Sequence, residues 1–460
     1  MPAHAKALIA FFAAAFALAA PATALAHDTY VDRSDGDDAA DTNDCSHRAT
    51  PCASLSRGIS QAGTGDTVFV GGDPVAFTGP QDLGDHKSIV HKNFSTTSSV
   101  DTSGPTVIDT GGAPNPAITV SSRAGQIKGL TIRSSTLPLE IGAKVDVIHD
   151  RFDEPASIDE DVKVDNLALK SRAPTIEHST FVDPTPLTTE EQRAIDQTSA
   201  QAGGVIVSHN RFSDFQLAID AEGEAITIRN NTIGGTHSGN GFGLGIELNG
   251  YDRAVVQHNL LRNPDISTGS VDGVLVSQLA SFKGNRISGY QVGVRIADDP
   301  ERVDLSDDVF MDNAFEAISV GDSAPDPGAT DAVLNNETLW DPGASQGEVI
   351  LIDVGMKMAS TIVGPPGIVD FSNSTCAISF SRGPNRHSGG DGCRDFATTK
   401  NPRFRGDGYH LKRGSPMIDA GNHHTPKHAR DIDGDRRALD GTGDCHGKPR
   451  RDIGADEFRC

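Results

Sequence analysis

The chain has 460 residues, 36% hydrophobic but only 5% aromatic, and 40 Lys and Arg against 63 Asp and Glu leave a formal charge of −23. That balance argues against nucleic acid or an anionic membrane surface as partner, because both need positive charge to displace counterions. Gly and Pro, 49 and 25 in number, imply many turns without the bias of a disordered tract, and no apolar run after residue 26 reaches the ~20 residues of a transmembrane segment.

In chain order, residues 1–26 read as a secretory signal. Lys6 sits in a short polar start, Leu8 to Ala20 is apolar, and Ala24-Leu25-Ala26 supplies small residues at the cleavage positions. The mature chain then begins near His27, outside the reducing cytoplasm. Six cysteines suit that compartment and form three sequence-local couples: Cys45 and Cys52, Cys376 and Cys393, Cys445 and Cys460. Proximity alone suggests this connectivity, and no C-x-x-C pair speaks for zinc instead. Residues 27–75 read as an N-terminal cap, 76–370 as repeated coils and 371–460 as a C-terminal capping segment. An acidic loop opens the mature chain, with Asp32, Asp35, Asp37, Asp38, Asp41 and Asp44 around Gly36. It reads either as solvated surface or as a cation site.

The middle of the chain repeats. The pattern apolar-x-apolar-x-x-[Asn/Asp]-x-apolar occurs at Val205–Phe212, Ile226–Ile233, Ala254–Leu261, Ala280–Ile287 and Val303–Phe310, with weaker copies at Val145–Phe152 and Pro174–Phe181 and a distorted one around Ala332–Leu339. Its sixth position is Asn210, Asn231, Asn259, Asn285 and Asp308, at intervals of 21, 28, 26 and 23. Period-two alternation bounded by Gly, Asn and Asp means strands. A recurrence near 25 residues means a solenoid, in which each unit buries its apolar face only by stacking on the next. The Asn column is expected at the strand turn, taking left-handed backbone and bonding to its copy in the next coil.

A second column precedes the first in each coil: A218-I-D-A221, G245-I-E-L248, G273-V-L-V276, G293-V-R-I296 and A317-I-S-V320. Its second and fourth positions face inward and its third outward, giving Asp220, Glu247, Leu275, Arg295 and Ser319. Between coils, Asp183 to Gly204 reads as an insert. Thr188 and Glu191 make a capping box, and the Ala- and Gln-rich run to Ala202 predicts a short helix. Charge is uneven: 16 Lys and Arg stand against 12 Asp and Glu from Cys376 onward, but 24 against 51 before it. The C-terminal part is therefore expected to pack its Arg side chains on the acidic coils, or to dock on an acidic wall polymer.

The Gly-apolar-x-apolar strand followed by the Asn-turn strand resembles the right-handed parallel β-helix of the pectin lyase-like superfamily. Cys45 through P51-C-A-S-L-S-R-G-I-S-Q-A62 to G65-D-T-V-F-V70 is similar to the N-terminal cap of secreted bacterial β-helix proteins, in physical terms a short amphipathic helix with Leu55 and Ile59 on one face. N401-P-R-F404, Y409-H-L411, S415-P-M-I-D-A-G421, D431-I-D-G434 and D452-I-G-A-D-E457 resemble the closing segment of the choice-of-anchor Q group of secreted β-helix proteins. The fold implied is all-β: a right-handed parallel β-helix with an N-terminal helical cap and an irregular, disulfide-bearing C-terminal segment. The superfamily holds lyases, hydrolases and adhesins, so fold alone does not assign an activity.

In β-helix polysaccharide enzymes the substrate groove runs along the outer side of the Gly-apolar-x-apolar strands, so the resemblance points to Asp220, Glu247 and Arg295. The first two become neighbours one coil apart, where like charges raise a pKa or recruit a cation such as Ca²⁺. In a lyase, carboxylates and Ca²⁺ would acidify the proton beside a uronate carboxyl for a basic side chain to remove. In a hydrolase, one carboxyl would protonate the leaving oxygen while the other activates water. Arg229, His237, Asp252 and His258 are further candidates on adjacent strands or turns. Asp431, Asp433 and Asp435 around Gly434 form a second calcium candidate, although the Gly position departs from an EF-hand loop. His423, His424 and His428 are candidate transition-metal ligands. The expectation is a secreted monomer that binds or processes an extracellular polysaccharide or cell-wall polymer. The alternative is a non-catalytic surface scaffold, favoured by the scarcity of aromatic rings for stacking on sugars.

Overall fold

Strands of three to five residues cannot bury an apolar face alone, and in the structure, a computed structural model, they are wound into an all-β parallel solenoid. It describes residues 27–33, 35–39, 43–71, 81–92, 106–109, 116–133, 137–153, 160–164, 173–182, 192–197, 204–222, 225–235, 242–249, 254–264, 270–277, 280–296, 302–321, 331–341, 348–351, 355–365, 367–370, 375–379, 381–383, 396–422, 430–437 and 450–459. The signal segment and the side chains of Cys376, Cys393, Cys445 and Cys460 lie outside these residues. Cys45 and Cys52 are disulfide-bonded, as their spacing suggested.

Three sheets of 14, 11 and 12 strands run the length of the described solenoid. One coil passes through all three in turn: Leu217–Glu222 lies in the third sheet, Ile226–Arg229 in the first and Thr232–Gly234 in the second. The next lap, through Phe242–Asn249, Ala254–Gln257 and Leu260–Arg262, pairs parallel with it in register. Inward positions therefore stack as columns. Val207, Ile228, Val256, Phe282 and Leu305 line the first sheet. Phe152, Phe181, Phe212, Ile233 and Leu261 line the second, and Ile195, Ile219, Ile246, Val274, Val294 and Ile318 the third. All are buried. Each side chain removed from water in this way stabilises the stack by about 1.5–3 kcal/mol. The Phe152, Phe181 and Phe212 rings stack at 4.6 and 4.7 Å.

The polar column is a continuous ladder. The Oδ1 of Asn231 accepts from the backbone and side-chain amides of Asn210 at 2.9 and 3.2 Å, and Asn259 does the same for Asn231 at 2.9 and 3.0 Å. Asn285 and Asp308 continue it, and Glu337 accepts from the Asp308 N–H at 2.8 Å. The left-handed backbone falls one residue earlier than expected, on His149, His178, His209, Asn230, His258, Asp307 and Asn336. The ladder residue must point inward to cap the neighbouring N–H, so the preceding residue makes the turn. At Gly284 a glycine takes the same left-handed backbone, at φ +67°. His149, His178 and His209 stack outside this turn with ring centroids 5.0 and 4.8 Å apart.

The segment expected to be a helix contains instead the strand Arg193–Gln197, which pairs with Glu160–Val164 and Leu217–Glu222 in the third sheet. Ala194 and Ile195 are fully buried, and stacking on the neighbouring coils outweighs a modest helix propensity. At the N-terminal end, the helix Leu55–Gln61 is capped by Ser54, whose Oγ accepts from the Arg57 N–H, and it buries Leu55, Gly58 and Ile59. A Cβ at Gly58 would collide with Val31, so a glycine lets the helix lie on Thr29–Val31. That strand and Thr67–Val70 already belong to the first sheet.

The C-terminal segment lies along the second sheet. Leu411, Met417, Ile453 and Phe458 pack with Ile362 and Trp340, while Tyr409, Ile432 and Ala455 pack with Val309 and Met311. Its cationic residues do meet the acidic coils. Arg437, fully buried, bonds Asp307 at 2.7 Å and the carbonyls of Gly454 and Ala455, and Arg451 bonds Asn336.

Candidate functional site

The outer face of the third sheet carries the predicted column in register. Asp220, Glu247, Leu275, Arg295 and Ser319 stand in consecutive coils, about 4.8 Å apart along the stack, and Asp196 extends the row by one coil. Inward Ile and Val anchor each strand, which fixes the side chain between them outward. Glycine precedes the anchor in three successive coils for a steric reason: a Cβ at Gly245 would lie 2.5 Å from the Gly273 carbonyl oxygen, and one at Gly273 2.5 Å from that of Gly293.

The column brings Asp220 and Glu247 together but leaves Arg295 two coils away, beyond Leu275. Arg295 turns to Asp272, which its guanidinium grips at 2.7 and 3.3 Å. The cation beside Asp220 is Arg193, with Nε 3.2 Å from Asp220 Oδ2 and a guanidinium nitrogen 3.8 Å from Asp196. Asp220 is only 4% exposed. Burial pushes its carboxyl up to about 7, against the pull of Arg193 and with a further push from Glu247. Glu247 is half-buried and accepts from the Asn249 side-chain amide at 2.5 Å.

Arg193, Asp196 and Asp272 did not figure among the sequence candidates. The first two were hidden by the helix reading, although A194-I-D196 repeats A218-I-D220. Asp272 shares its register row with Val292 and Glu316, all three buried. Burial also raises the Glu316 carboxyl. His258 and Arg229 lie on the first-sheet side, away from this face, and His237, Asp252, His423, His424 and His428 fall outside the described residues.

The second candidate, Asp431, Asp433 and Asp435, diverges. Asp431 is buried and accepts from the backbone N–H groups of Asp433, Asp435 and Glu457. Asp433 faces Arg286 of the second sheet at 2.5 Å and His410 at 2.5 Å, and Asp435 pairs with Arg459. The N-terminal acidic loop likewise spends its carboxylates on nearby N–H groups: Asp38 on Ala53 and Ser54, Asp37 on Ala39, Asp44 on Ser46.

No protein-family model matches the chain, and no curated protein matches it in sequence. Among solved structures it is similar to the crystal structure of pectate lyase Pel9A, at 11% identity and a TM-score of 0.37, over 94% of this chain and 97% of that one. No helix among the described residues is long and apolar enough to cross a membrane.

Proposed function

We propose that the chain is a secreted, right-handed β-helix of the pectin lyase-like kind that binds and hydrolyses an extracellular polysaccharide on the outer face of the third sheet. One observation carries the reading: Asp196, Asp220 and Glu247 occupy consecutive coils, and the middle carboxyl is raised to about 7. Asp220 would hold a proton near neutrality and deliver it to the glycosidic oxygen, as a general acid does. Glu247, its register neighbour one coil on, would serve as the second carboxylate of a two-carboxylate glycosidase. Arg193 would keep Asp220 in place and steady the charge it acquires. A formal charge of −23 favours a neutral over an anionic polymer. The signal-like residues 1–26 and the Cys45–Cys52 disulfide support secretion.

The test is release of reducing ends from a panel of neutral and acidic polysaccharides. Wild-type cleavage of a neutral glycan, with Asp220→Asn and Glu247→Gln each lowering the rate by about 100-fold or more, is the expected result. A second reading rests on Arg193 and Arg295, which engage their carboxylates within the same sheet. In that reading the charges brace the coils and the solenoid is a non-catalytic scaffold. Polymer binding without cleavage, unchanged in both variants, would favour it and refute the hydrolase.

A further inference from the structure

Three loops of the C-terminal segment converge on His410. Its Nδ1 lies 2.8 Å from Asp407 Oδ2, and its Nε2 lies 2.5 Å from Asp433 Oδ2 and 3.9 Å from Asp456 Oδ1. One ligand atom from each of His410, Asp433 and Asp456 falls within 4.8 Å of the others. Asp456 is 6% exposed; its Oδ2 accepts from the Leu411 N–H at 3.1 Å while Oδ1 is turned toward the imidazole. The group borders a cavity of about 270 Å³, also lined by Arg405, Asp435, Glu457 and Arg459, which has room for an ion with its water.

We propose that His410 Nε2, Asp433 and Asp456 bind one divalent transition-metal ion of the zinc class. One imidazole nitrogen with two carboxylate oxygens suits zinc or cobalt, whereas calcium takes six to eight oxygens and no nitrogen. Asp407 stands behind the ring as the carboxylate that fixes a metal-binding imidazole and selects the nitrogen it presents. Three protein ligands leave the fourth position to water from the cavity. Asp433 Oδ1 keeps its contact with Arg286, which also lies over the Tyr409 ring at 4.8 Å. The ion therefore ties residues 407–411, 431–435 and 452–457 to one another and, through Arg286, to the second sheet. Such a staple suits a segment held by small apolar clusters and isolated bridges, since metal binding there is folding free energy. The proposal does not depend on the polysaccharide reading.

The experiment is titration of the chelator-treated full chain with Zn²⁺ by calorimetry and with Co²⁺ by visible absorption. One ion per chain is expected, with Co²⁺ bands in the visible, a rise in melting temperature with Zn²⁺, and no displacement by excess Ca²⁺. His410→Gln should weaken binding by about 100-fold or more, and Asp407→Asn by roughly 10–100-fold at the same stoichiometry. Should His410→Gln lose its native circular dichroism, the wild-type Co²⁺ complex still decides, through a paramagnetically shifted imidazole resonance. Absence of saturable binding, binding that survives His410→Gln, Ca²⁺ competing equally, or a Co²⁺ complex with no shifted imidazole would each overturn the assignment.

Discussion

Replacing Asn259 by Ala probes the ladder at its centre, where the side chain is 1% exposed. Its Oδ1 accepts from the backbone N–H of Asn231 at 2.9 Å and from the Asn231 side-chain amide at 3.0 Å. Its own amide donates to the Ile228 carbonyl at 2.9 Å and to Asn285 Oδ1 at 3.0 Å. Alanine removes all four bonds at once and takes from the buried Asn231 backbone N–H its acceptor, although Asn285 Oδ1 keeps the Asn259 N–H and the Asn231 amide keeps the Val207 carbonyl. With about 1 kcal/mol net per bond, and more for each buried donor left unmet, the loss is about 4–6 kcal/mol. Urea unfolding should show this as a lower midpoint at an unchanged slope. Asn259→Asp should fall between, because a carboxylate still accepts but no longer donates. A loss below about 1 kcal/mol, no larger than that of exposed Arg229→Ala, would refute the ladder's energetic role.

Burial raises several carboxyls: Asp150, Asp308 and Asp452 to about 8 and Glu348 to about 9. The unfolded chain gives up these protons near pH 4 while the fold keeps them, so their contribution is complete in acid. It declines as the pH rises from the unfolded-state values toward the folded-state ones. The urea midpoint should therefore be higher at pH 5.5 than at pH 8.5, and Asp308→Asn, which extends the Asn run, should shrink that difference by stabilising the alkaline side; an unchanged difference would contradict the assignment. Gly273→Ala, whose Cβ would press on the Gly293 carbonyl, should cost about 1–3 kcal/mol in the same assay. Arg437→Met strands Asp307 and Glu457, its partners at 2.7 and 3.5 Å. It should cost about 3–5 kcal/mol and expose the C-terminal segment to limited proteolysis, and wild-type resistance would speak against the buried pairs.

The solenoid was legible because stacking repeats one chemical demand in every lap. Val207, Ile228 and Val256 need the same greasy neighbour, and Asn210, Asn231 and Asn259 the same partner above and below. What repeats less was missed. R193-A-I-D196 satisfies the third-sheet pattern, but the Ala- and Gln-rich stretch around it favours a helix until stacking on Ile219 is taken into account. The left-handed turn was placed one residue late because Asn suits both that backbone and the ladder, and only the inward direction of the side chain separates them. In the candidate site, alternation located Asp220 and Glu247, but it could not show that Arg193 rather than Arg295 is the local cation. His410 was beyond reach, since Asp407, Asp433 and Asp456 reach it through irregular loops with no period to read.

Register is the claim on which the ladder, the carboxylate column and the proposed site all rest. Arg229 is aligned with Gln257 in the next coil, and Gln257 with Lys283 in the one after. Cysteines at 229 and 257 would sit about 4.8 Å apart at Cα, within disulfide reach, while cysteines at 229 and 283 would be about 10 Å apart and beyond it. Under mild oxidation, peptide mass spectrometry should find the new cross-link in Arg229→Cys/Gln257→Cys and not in Arg229→Cys/Lys283→Cys. Cross-linking of the second pair as readily as the first, or of neither, would contradict the stacked coils.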